Sequence, residues 1–440
     1  MCMELETIVL NQKQQEAVDK IYDFLDSEKR EFLLTGRAGT GKTTTISFIE
    51  FPYTTIGMAI SHKAKEELRK SLPQYEVITV AGAIGLEKID DLDTGKTEFI
   101  SFGKEINKSR IIFVVDECSM IDIFSRSELL RLYPKAKFIY LGDIHQLPPI
   151  KDKKSNVFSD DSIDSVELID NMRTGVESPI MTLLNNIVQL QLSKCTDLNI
   201  IRSILPKENI EIDGKRLIAN MRIGEFYDIT NEIIIITYHN YKKDILNNQF
   251  REKILGFKDM YNVGDKLIFN NNIYKSIQGK QTRVFTNSEI VTVKTISTAG
   301  YKFNEKIVFA ENDELMYDTI EFSMPYYLIT VEGKNDMVFV PSDIAAFSKL
   351  LDKLSTYAKS LTDFKQERSK MWRIFFMAKY AFYDVSYAYA LTSHKSQGST
   401  YDSVTVDFND IFKSKMGMDE KLQCFYVACS RAKNNLNIIY

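Results

Sequence analysis

A glycine-rich segment near the N-terminus has the residue types and the spacing that bind phosphate groups. Residues 36–43 read GRAGTGKT and fit the pattern G-x-x-x-x-G-K-[ST]. The apolar run 32–35 before it predicts a short buried strand, and residues 44–50 after it predict a helix. In such a loop, backbone N–H groups face phosphate oxygens, Lys42 reaches the β- and γ-phosphates, and the Thr43 hydroxyl binds Mg²⁺. The segment therefore predicts a site for a nucleoside triphosphate with Mg²⁺.

Two further polar clusters each follow an apolar run of strand length. Asp116 and Glu117 follow residues 111–115, and Gln146 comes shortly after residues 138–141. In phosphate-loop enzymes an acidic residue at this position holds Mg²⁺, and a neighbouring carboxylate orients or deprotonates the attacking water. We assign the first role to Asp116 and the second to Glu117. The Gln146 amide offers a donor and an acceptor to a γ-phosphate or to that water.

Two arginines could stabilise charge on a reacting phosphate. Arg431 lies in the segment YVACSRA at 426–432, and Arg173 follows the segment IDNM at 169–172. A guanidinium placed against a γ-phosphate stabilises the transition state of phosphoryl transfer. An isolated arginine near a C-terminus is more often solvated or structural, so the surrounding motif has to support each assignment.

Short apolar runs alternate with helical patterns in the first part of the chain and predict a parallel α/β sheet. The apolar run 233–237 opens a second unit of this kind. From about 263 to 340, short β-rich runs separated by turn residues predict a small barrel; these runs are 266–269, 289–293, 306–309, 327–331 and 337–340. Periodic apolar residues then predict helices over 347–364 and 371–383. An Asp-x-Gly turn at 93–95 predicts a β-hairpin inserted into the first unit.

The composition limits the class of protein. The chain has 440 residues, of which 44% are hydrophobic, and a net charge of −4, which argues against a protein coated with basic charge for duplex DNA. A narrow track for a single strand remains compatible with an acidic exterior. No apolar run has the length of a membrane span, and the five cysteines form no C-x-x-C pair. With an acidic N-terminus that lacks a signal-peptide pattern, we expect a cytoplasmic protein that does not contact a membrane.

Taken together, these motifs resemble those of the superfamily 1B (5′-to-3′) DNA helicases, most closely the bacteriophage members of the family. The resemblance extends over essentially the whole chain. It is carried, in chain order, by residues 10–14 (Q motif), 36–44 (motif I), 61–62 (Ia), 79–80 (Ib), 116–120 (II), 142–149 (III), Arg173 (IV), 391–399 (V) and 426–431 (VI).

The resemblance implies that the nucleotide is ATP and assigns roles to individual residues. Gln14 would read adenine, and Arg431 would be the arginine finger. The nucleotide would also be bound by Gly36, Ala38, Gly39, Thr40, Gly41, Lys42, Thr43 and Thr44. The catalytic residues would be Lys42, Asp116, Glu117, Gln146, Arg173 and Arg431. The nucleic-acid strand would be contacted by Ser61, His62, Thr79, Thr392 and His394, and by Phe99 at the tip of a duplex-splitting hairpin.

The same resemblance implies the domain plan. We expect one RecA-like domain over 1–85 and 103–175, the hairpin over 86–102, a second RecA-like domain over 176–255 and 385–440, and an SH3-like barrel with a helical tower over 256–384. The substrates would be single-stranded and forked duplex DNA, in replication or recombination of a phage or its host. Single-strand-binding, replication and recombination proteins would be partners of an enzyme that functions as a monomer. An RNA helicase of the same superfamily and an ATPase switch without strand translocation remain alternatives.

Overall fold

The computed structural model describes residues 10–37, 39–103, 110–149, 155–169, 178–212, 214–219, 233–277 and 280–440. The chain divides into two compact units. Unit 1 comprises Met1–Gly85, Gly103–Phe250 and Tyr389–Tyr440, and unit 2 comprises Leu86–Phe102 and Arg251–Ala388. Within the described ranges, no helix is long and apolar enough to cross a membrane.

The first lobe of unit 1 is a six-stranded parallel sheet flanked by helices. The chain begins with the following elements, of which β4 and β5 belong to unit 2: α1 (Gln12–Asp26), β1 (Glu31–Gly36), α2 (Lys42–Ser47), β2 (Thr54–Ala59), α3 (His62–Ser71), β3 (Glu76–Thr79), α4 (Val80–Ala83), β4 (Leu86–Asp90), β5 (Thr97–Ser101), β6 (Ile111–Val115), α5 (Ile123–Leu132), β7 (Lys137–Gly142) and β8 (Asp164–Leu168). The strand order is β3-β2-β6-β7-β1-β8. The central strands are apolar and buried on both faces, as parallel strands require.

The second lobe of unit 1 is built around another sheet, whose strands come from two separate stretches of the chain. The first stretch contains α6 (Pro179–Leu192), α7 (Leu198–Ser203), β9 (Ile210–Ile212), β10 (Lys215–Ala219), β11 (Ile233–Thr237) and α8 (Asn240–Lys253). Pro179 stands at the first position of α6, where its missing N–H costs no helical hydrogen bond.

Unit 2 is mainly antiparallel. Its later elements are β12 (Lys266–Phe269), β13 (Ile273–Ile277), β14 (Lys280–Phe285), β15 (Ile290–Glu311), β16 (Glu314–Val331), β17 (Met337–Pro341), α9 (Ile344–Ser360), α10 (Lys365–Lys379) and β18 (Val385–Tyr387). A five-stranded sheet has the order β17-β16-β15-β12-β18, while β13 with β14 and β4 with β5 form separate hairpins. The SH3-like barrel stays a prediction, although Phe285 of β14 packs in the same apolar core as Leu267 and Val291 of the sheet.

The second stretch of chain completes the second lobe. It contains β19 (Ala390–Thr392), α11 (Ser393–Ser396), β20 (Tyr401–Asp407), α12 (Phe408–Phe412), α13 (Met418–Ser430) and β21 (Ala432–Ile439). The strand order is β19-β11-β20-β21-β10-β9, with β9 antiparallel to β10 and the other pairs parallel. The predicted pair of α/β sheets is therefore confirmed.

One prediction about unit 2 was wrong in its detail. The runs expected as separate short strands near 289–293, 306–309 and 327–331 belong to only two strands, β15 and β16, which pair over most of their length. Gly300 stands opposite Pro325 in this pairing. Both residue types usually interrupt strands, so they divide the sequence pattern. The ribbon continues because Phe303 and Ile307 pack with Leu354 of α9 in a shared apolar core.

Candidate nucleotide and nucleic-acid sites

The phosphate loop joins β1 to α2, as its sequence predicts. A Cβ atom at Gly36 would lie 2.5 Å from Thr40 Oγ1 and 2.9 Å from the Leu168 carbonyl oxygen, so a side chain does not fit there. Gly41, at the N-cap of α2, has a φ of 80°, which favours glycine. The Lys42 ammonium donates to the carbonyl oxygens of Gly36 (2.6 Å) and Arg37 (3.1 Å). The Lys42 ammonium thus lies over the loop at which a phosphate would bind.

The remaining nucleotide residues border this loop. Gln14 is buried in the first turn of α1, where its Oε1 accepts from the Asn11 backbone N–H at 3.0 Å and its Nε2 donates to the Thr40 carbonyl at 3.5 Å. Reading of adenine by Gln14 stays a prediction and would require an exchange of these bonds. Thr43 and Thr44 lie in the first turn of α2. Ala38 lies outside the described residues.

The acidic pair follows β6 at the carboxyl edge of the first sheet. Asp116 accepts a hydrogen bond from the Glu117 N–H at 2.9 Å, and its own N–H donates to the Met58 carbonyl. Burial, and then the neighbouring Glu117 carboxylate, raise the pKa of Asp116 to about 6, while Lys42 acts in the opposite direction. Glu117 has a φ of 55°, an uncommon backbone conformation for a residue with a side chain. Such strain is typical of functional positions.

Gln146 follows β7 at the same edge of the sheet. Asp143 orders this turn, because its carbonyl accepts from the Gln146 N–H at 3.1 Å and its carboxylate accepts from the His145 N–H at 3.0 Å. Among the described residues, no hydrogen-bond partner reaches the buried Oε1 of Gln146. A buried amide oxygen without a protein partner is suited to accept from a bound water or ligand.

Arg431 comes directly after α13 in the second lobe and is 5% exposed. Its guanidinium donates to the Val427 carbonyl (3.1 Å), the Ser399 carbonyl (3.3 Å) and the Ser430 hydroxyl (2.9 Å). These partners belong to its own lobe, so contact with a γ-phosphate would require the exchange of some of these bonds. Arg173 lies outside the described residues.

The two lobes contact each other at several side chains. The Tyr426 hydroxyl on α13 donates to the Asp143 carboxylate at 2.7 Å, and both groups are buried. Other contacts across the lobes include His145 with Gln191 (2.8 Å), Arg37 with Asn185 (2.6 Å), and the Lys63 ammonium over the Tyr401 ring (4.3 Å). The bond from Tyr426 to Asp143 was not predicted. The sequence signal for it is the position of Tyr426, five residues before Arg431 in one motif.

The hydroxyl residues predicted to contact a nucleic-acid strand share one structural role. Ser61, Thr79 and Thr392 each lie at or just beyond the carboxyl end of a parallel strand and cap the following helix. Their oxygens accept backbone N–H bonds of 3.0 to 3.3 Å. Each hydroxyl keeps its own O–H as a donor, which suits a phosphate oxygen.

The loop that follows Thr392 and His394 comes close to Ser61 across the lobes. A Cβ atom at Gly398 in the loop after α11 would lie 3.6 Å from the Ser61 hydroxyl and 3.1 Å from the Ala64 Cβ. His62 is the first residue of α3. Burial lowers the pKa of His394, which favours a neutral ring that can offer a hydrogen bond but little charge.

The predicted position of Phe99 at a hairpin tip was wrong. The turn of the β4–β5 hairpin is formed by residues 91–96, whereas Phe99 lies on β5 opposite Lys88. Asp91 folds this turn by accepting bonds from the Asp93 N–H and the Thr94 hydroxyl, which moves the tip away from the aromatic residue. Phe99 is nevertheless 63% exposed, on one side of the hairpin.

The tip of the hairpin is held by α10 within unit 2. A Cβ at Gly95 would lie 2.2 Å from the Trp372 ring, so only glycine allows this approach. The Tyr380 hydroxyl donates to the Asp90 carboxylate at 2.8 Å, and the Lys88 ammonium lies 4.7 Å from the centre of the Tyr380 ring. The hairpin is therefore braced along one side.

Comparison with known proteins agrees with this arrangement. Residues 9–189 match the AAA domain family, and residues 387–439 match the UvrD-like helicase C-terminal domain. The chain is 26% identical to the uncharacterized protein R530 of Acanthamoeba polyphaga mimivirus over 98% of this chain and 100% of that protein. It is 23% identical to the ATP-dependent DNA helicase dda of Enterobacteria phage T4, over 96% of this chain and 98% of that helicase.

A solved structure matches over a similar extent. The Pif1 helicase from Bacteroides, in complex with ADP-AlF3 and ssDNA, superposes with a TM-score of 0.51 and 17% identity over 98% of this chain and 92% of that chain. The fold is thus the one with RecA-like domains found in that helicase. The expected close resemblance to phage helicases is not supported at 23% identity. The AAA domain match contains Lys42, Asp116 and Glu117, and the UvrD-like match contains Arg431. Together with the similarity to the phage helicase, these matches show that the protein is an ATP-dependent DNA helicase.

Proposed function

We propose that this ATP-dependent DNA helicase moves along single-stranded DNA in the 5′-to-3′ direction and separates duplex DNA ahead of it. The observation that carries the proposal is the contact between the lobes at the nucleotide residues. Tyr426, on the helix that leads to Arg431, bonds to Asp143, in the turn that carries Gln146. A ligand that favours one arrangement of the lobes can thereby shift the strand contacts on both.

The residues fit ATP with Mg²⁺. Gly36 leaves space for a phosphate, and the Gln146 Oε1, which has no partner among the described residues, supplies a hydrogen-bond acceptor. Thr43 and Asp116 offer the oxygen ligands that Mg²⁺ prefers. When bound, the ion would be held by Thr43 and Asp116 and would supply positive charge that offsets the negative charge on the reacting phosphates.

The chain's own residues would then divide the hydrolysis step. Lys42 would move its ammonium from the loop carbonyls to the phosphates, and Gln146 would orient the attacking water. Glu117 would accept a proton from that water. Arg431 would exchange bonds within its own lobe for the γ-phosphate and stabilise the charge that develops there.

Strand movement would use the capping hydroxyls on the two lobes. Ser61 and Thr79 belong to the first lobe, whereas Thr392 and His394 belong to the second. Contacts of this kind bind phosphates with little preference for sequence, and the steps between them would follow ATP binding and release. The braced hairpin with its exposed Phe99 is the element that we assign to duplex separation.

The direction and context come from the resemblance to superfamily 1B helicases. Monomeric action, a cytoplasmic location, a role in replication or recombination, and contacts with single-strand-binding proteins stay proposals on the same ground. The domain boundaries set out above also stay predictions. Duplexes with a 5′ or a 3′ single-stranded tail test the direction, because a 5′-to-3′ enzyme unwinds only the former.

The first test is ATP hydrolysis with and without an oligo-dT strand. We expect strong stimulation, and we expect Lys42→Ala to abolish turnover at all strand concentrations. Stimulation by oligo-U but not by oligo-dT would replace the proposal with an RNA helicase. A rate of ATP hydrolysis that neither oligo-dT nor oligo-U changes would favour an ATPase switch. The residues proposed to contact a strand would then lose that role.

A further inference from the structure

An aromatic cluster stands beside the proposed strand contacts of the second lobe. It consists of Tyr238 and His239, which directly follow β11, and Tyr241, which lies in the first turn of α8. In the parallel pairing of β11 with β19, Thr237 is the register partner of Thr392. The cluster therefore follows the sheet next to α11, which carries His394, at the same carboxyl edge.

The rings of the cluster form a continuous series with His394. The Tyr238 ring centre lies 6.2 Å from that of His394 and 4.8 Å from that of His239. The His239 ring centre lies 5.2 Å from that of Tyr241. The series runs outward, because Tyr241 is 63% exposed whereas Tyr238 is partly buried.

A buried carboxylate fixes the backbone that presents these rings. Asp410 accepts from the backbone N–H groups of Tyr238 (2.8 Å) and His239 (2.9 Å), and its other oxygen is 2.9 Å from His239 Nδ1. Asp410 is itself held by a bond from its N–H to Asp407. The loop is thus ordered before any ligand binds, which lowers the entropic cost of binding.

The neighbouring charges do not favour phosphate at this point. Lys242 lies 3.6 Å from the Asp407 carboxylate, and Asp410 adds a second carboxylate, which contacts the His239 ring. A flat, uncharged ligand that stacks on an aromatic ring fits these surroundings better. In a strand whose phosphates contact Thr392 and His394, the neighbouring flat groups are the bases.

We infer that Tyr241, supported by His239, is a stacking site for a nucleobase of the bound strand. This inference rests on the proposed function and adds a base contact to a grip otherwise made of phosphate contacts. Because every base offers a π-face, the site would raise affinity without selecting a sequence.

The test compares Tyr241→Ala with wild type on two strands of equal length and charge, oligo-dT and an abasic phosphodiester strand. We expect Tyr241→Ala to weaken binding of oligo-dT by about tenfold, and to leave binding of the abasic strand unchanged. The dependence of affinity on salt concentration should keep its slope, because no phosphate contact is lost. Tyr241→Phe retains the ring and should bind as wild type. Tyr317→Ala, in unit 2 and 73% exposed, is the matched control.

Unchanged affinity of Tyr241→Ala for oligo-dT would overturn the inference, and so would an equal loss on the abasic strand or a smaller salt slope. Melting temperature checks that each variant is folded. Stimulation of the wild-type ATPase by oligo-dT distinguishes failure of this inference from failure of the proposed function. If wild type is stimulated and Tyr241→Ala binds normally, only the base site is wrong, whereas an unstimulated wild type removes the proposed function as well.

Discussion

The hydrogen bond from Tyr426 to Asp143 should support catalysis without supporting ATP binding. Tyr426→Phe removes the hydroxyl and keeps the ring, so packing around α13 is preserved. A hydrogen bond to a charged group contributes about 1.5–3 kcal/mol. Asp143 would still accept from the His145 N–H, so we take the lower end, and about 1.4 kcal/mol corresponds to a factor of ten in rate. Because the bond joins the lobes, we expect the DNA-stimulated kcat to fall about tenfold.

The assay measures kcat with saturating oligo-dT and, separately, the Kd of a fluorescent ATP analogue. The matched control is Tyr133→Phe, which removes a buried hydroxyl bond to the Ala83 carbonyl within the first lobe. That variant should lower the melting temperature with little change in kcat. A Tyr426→Phe variant that keeps its kcat within a factor of two, or whose Kd for the analogue rises as much as its kcat falls, would refute this role of the bond.

Four other variants or conditions test the site. Glu117→Gln should lower turnover by about a hundredfold or more while the ATP analogue still binds, because the water loses its base; turnover near wild type would exclude that role. Because Asp116 has a pKa raised to about 6, its protonation competes with the metal, so affinity for Mg²⁺ in the presence of the analogue should weaken as pH falls through 6; a pH-independent affinity between 5 and 7 would contradict this. Phe99→Ala should reduce duplex unwinding more than translocation on a single strand, and equal losses would count against a separating hairpin. Ser430→Ala removes a bond to Arg431 and should raise DNA-independent hydrolysis about fivefold; an unchanged or lower basal rate would argue that the bond does not restrain the arginine.

Local motifs could be predicted from the sequence because their geometry is set within a few residues. The apolar residues of β1 predict the strand before the phosphate loop, and the glycines of the loop permit the turn into α2. The acidic pair ends β6 for a similar reason. The bond between Asp143 and Tyr426 spans 283 positions, so no local pattern specifies it. It depends on how two separately folded sheets meet.

The two errors in unit 2 have different origins. The Asp-x-Gly turn at 93–95 was predicted correctly and lies within the turn that the Asp91 hydrogen bonds fold. Phe99 was assigned to the tip from the family resemblance, but it lies on β5 opposite Lys88. Gly300 and Pro325 divide the sequence pattern of β15 and β16, while pairing and packing with α9 keep those strands continuous. In these two strands, tertiary contacts outweigh local residue preference.

The bond from Arg431 to the Ser399 carbonyl has a consequence for ATP hydrolysis by the enzyme when no strand is bound. Ser399 directly follows Gly398, whose loop touches the first lobe beside Ser61. The restraint on the arginine and the grip on the strand are therefore adjacent along one short segment of backbone. A shift of that segment when a strand binds would loosen the restraint in the same movement. We thus expect an enzyme that conserves ATP while it waits and consumes it only when a track is present.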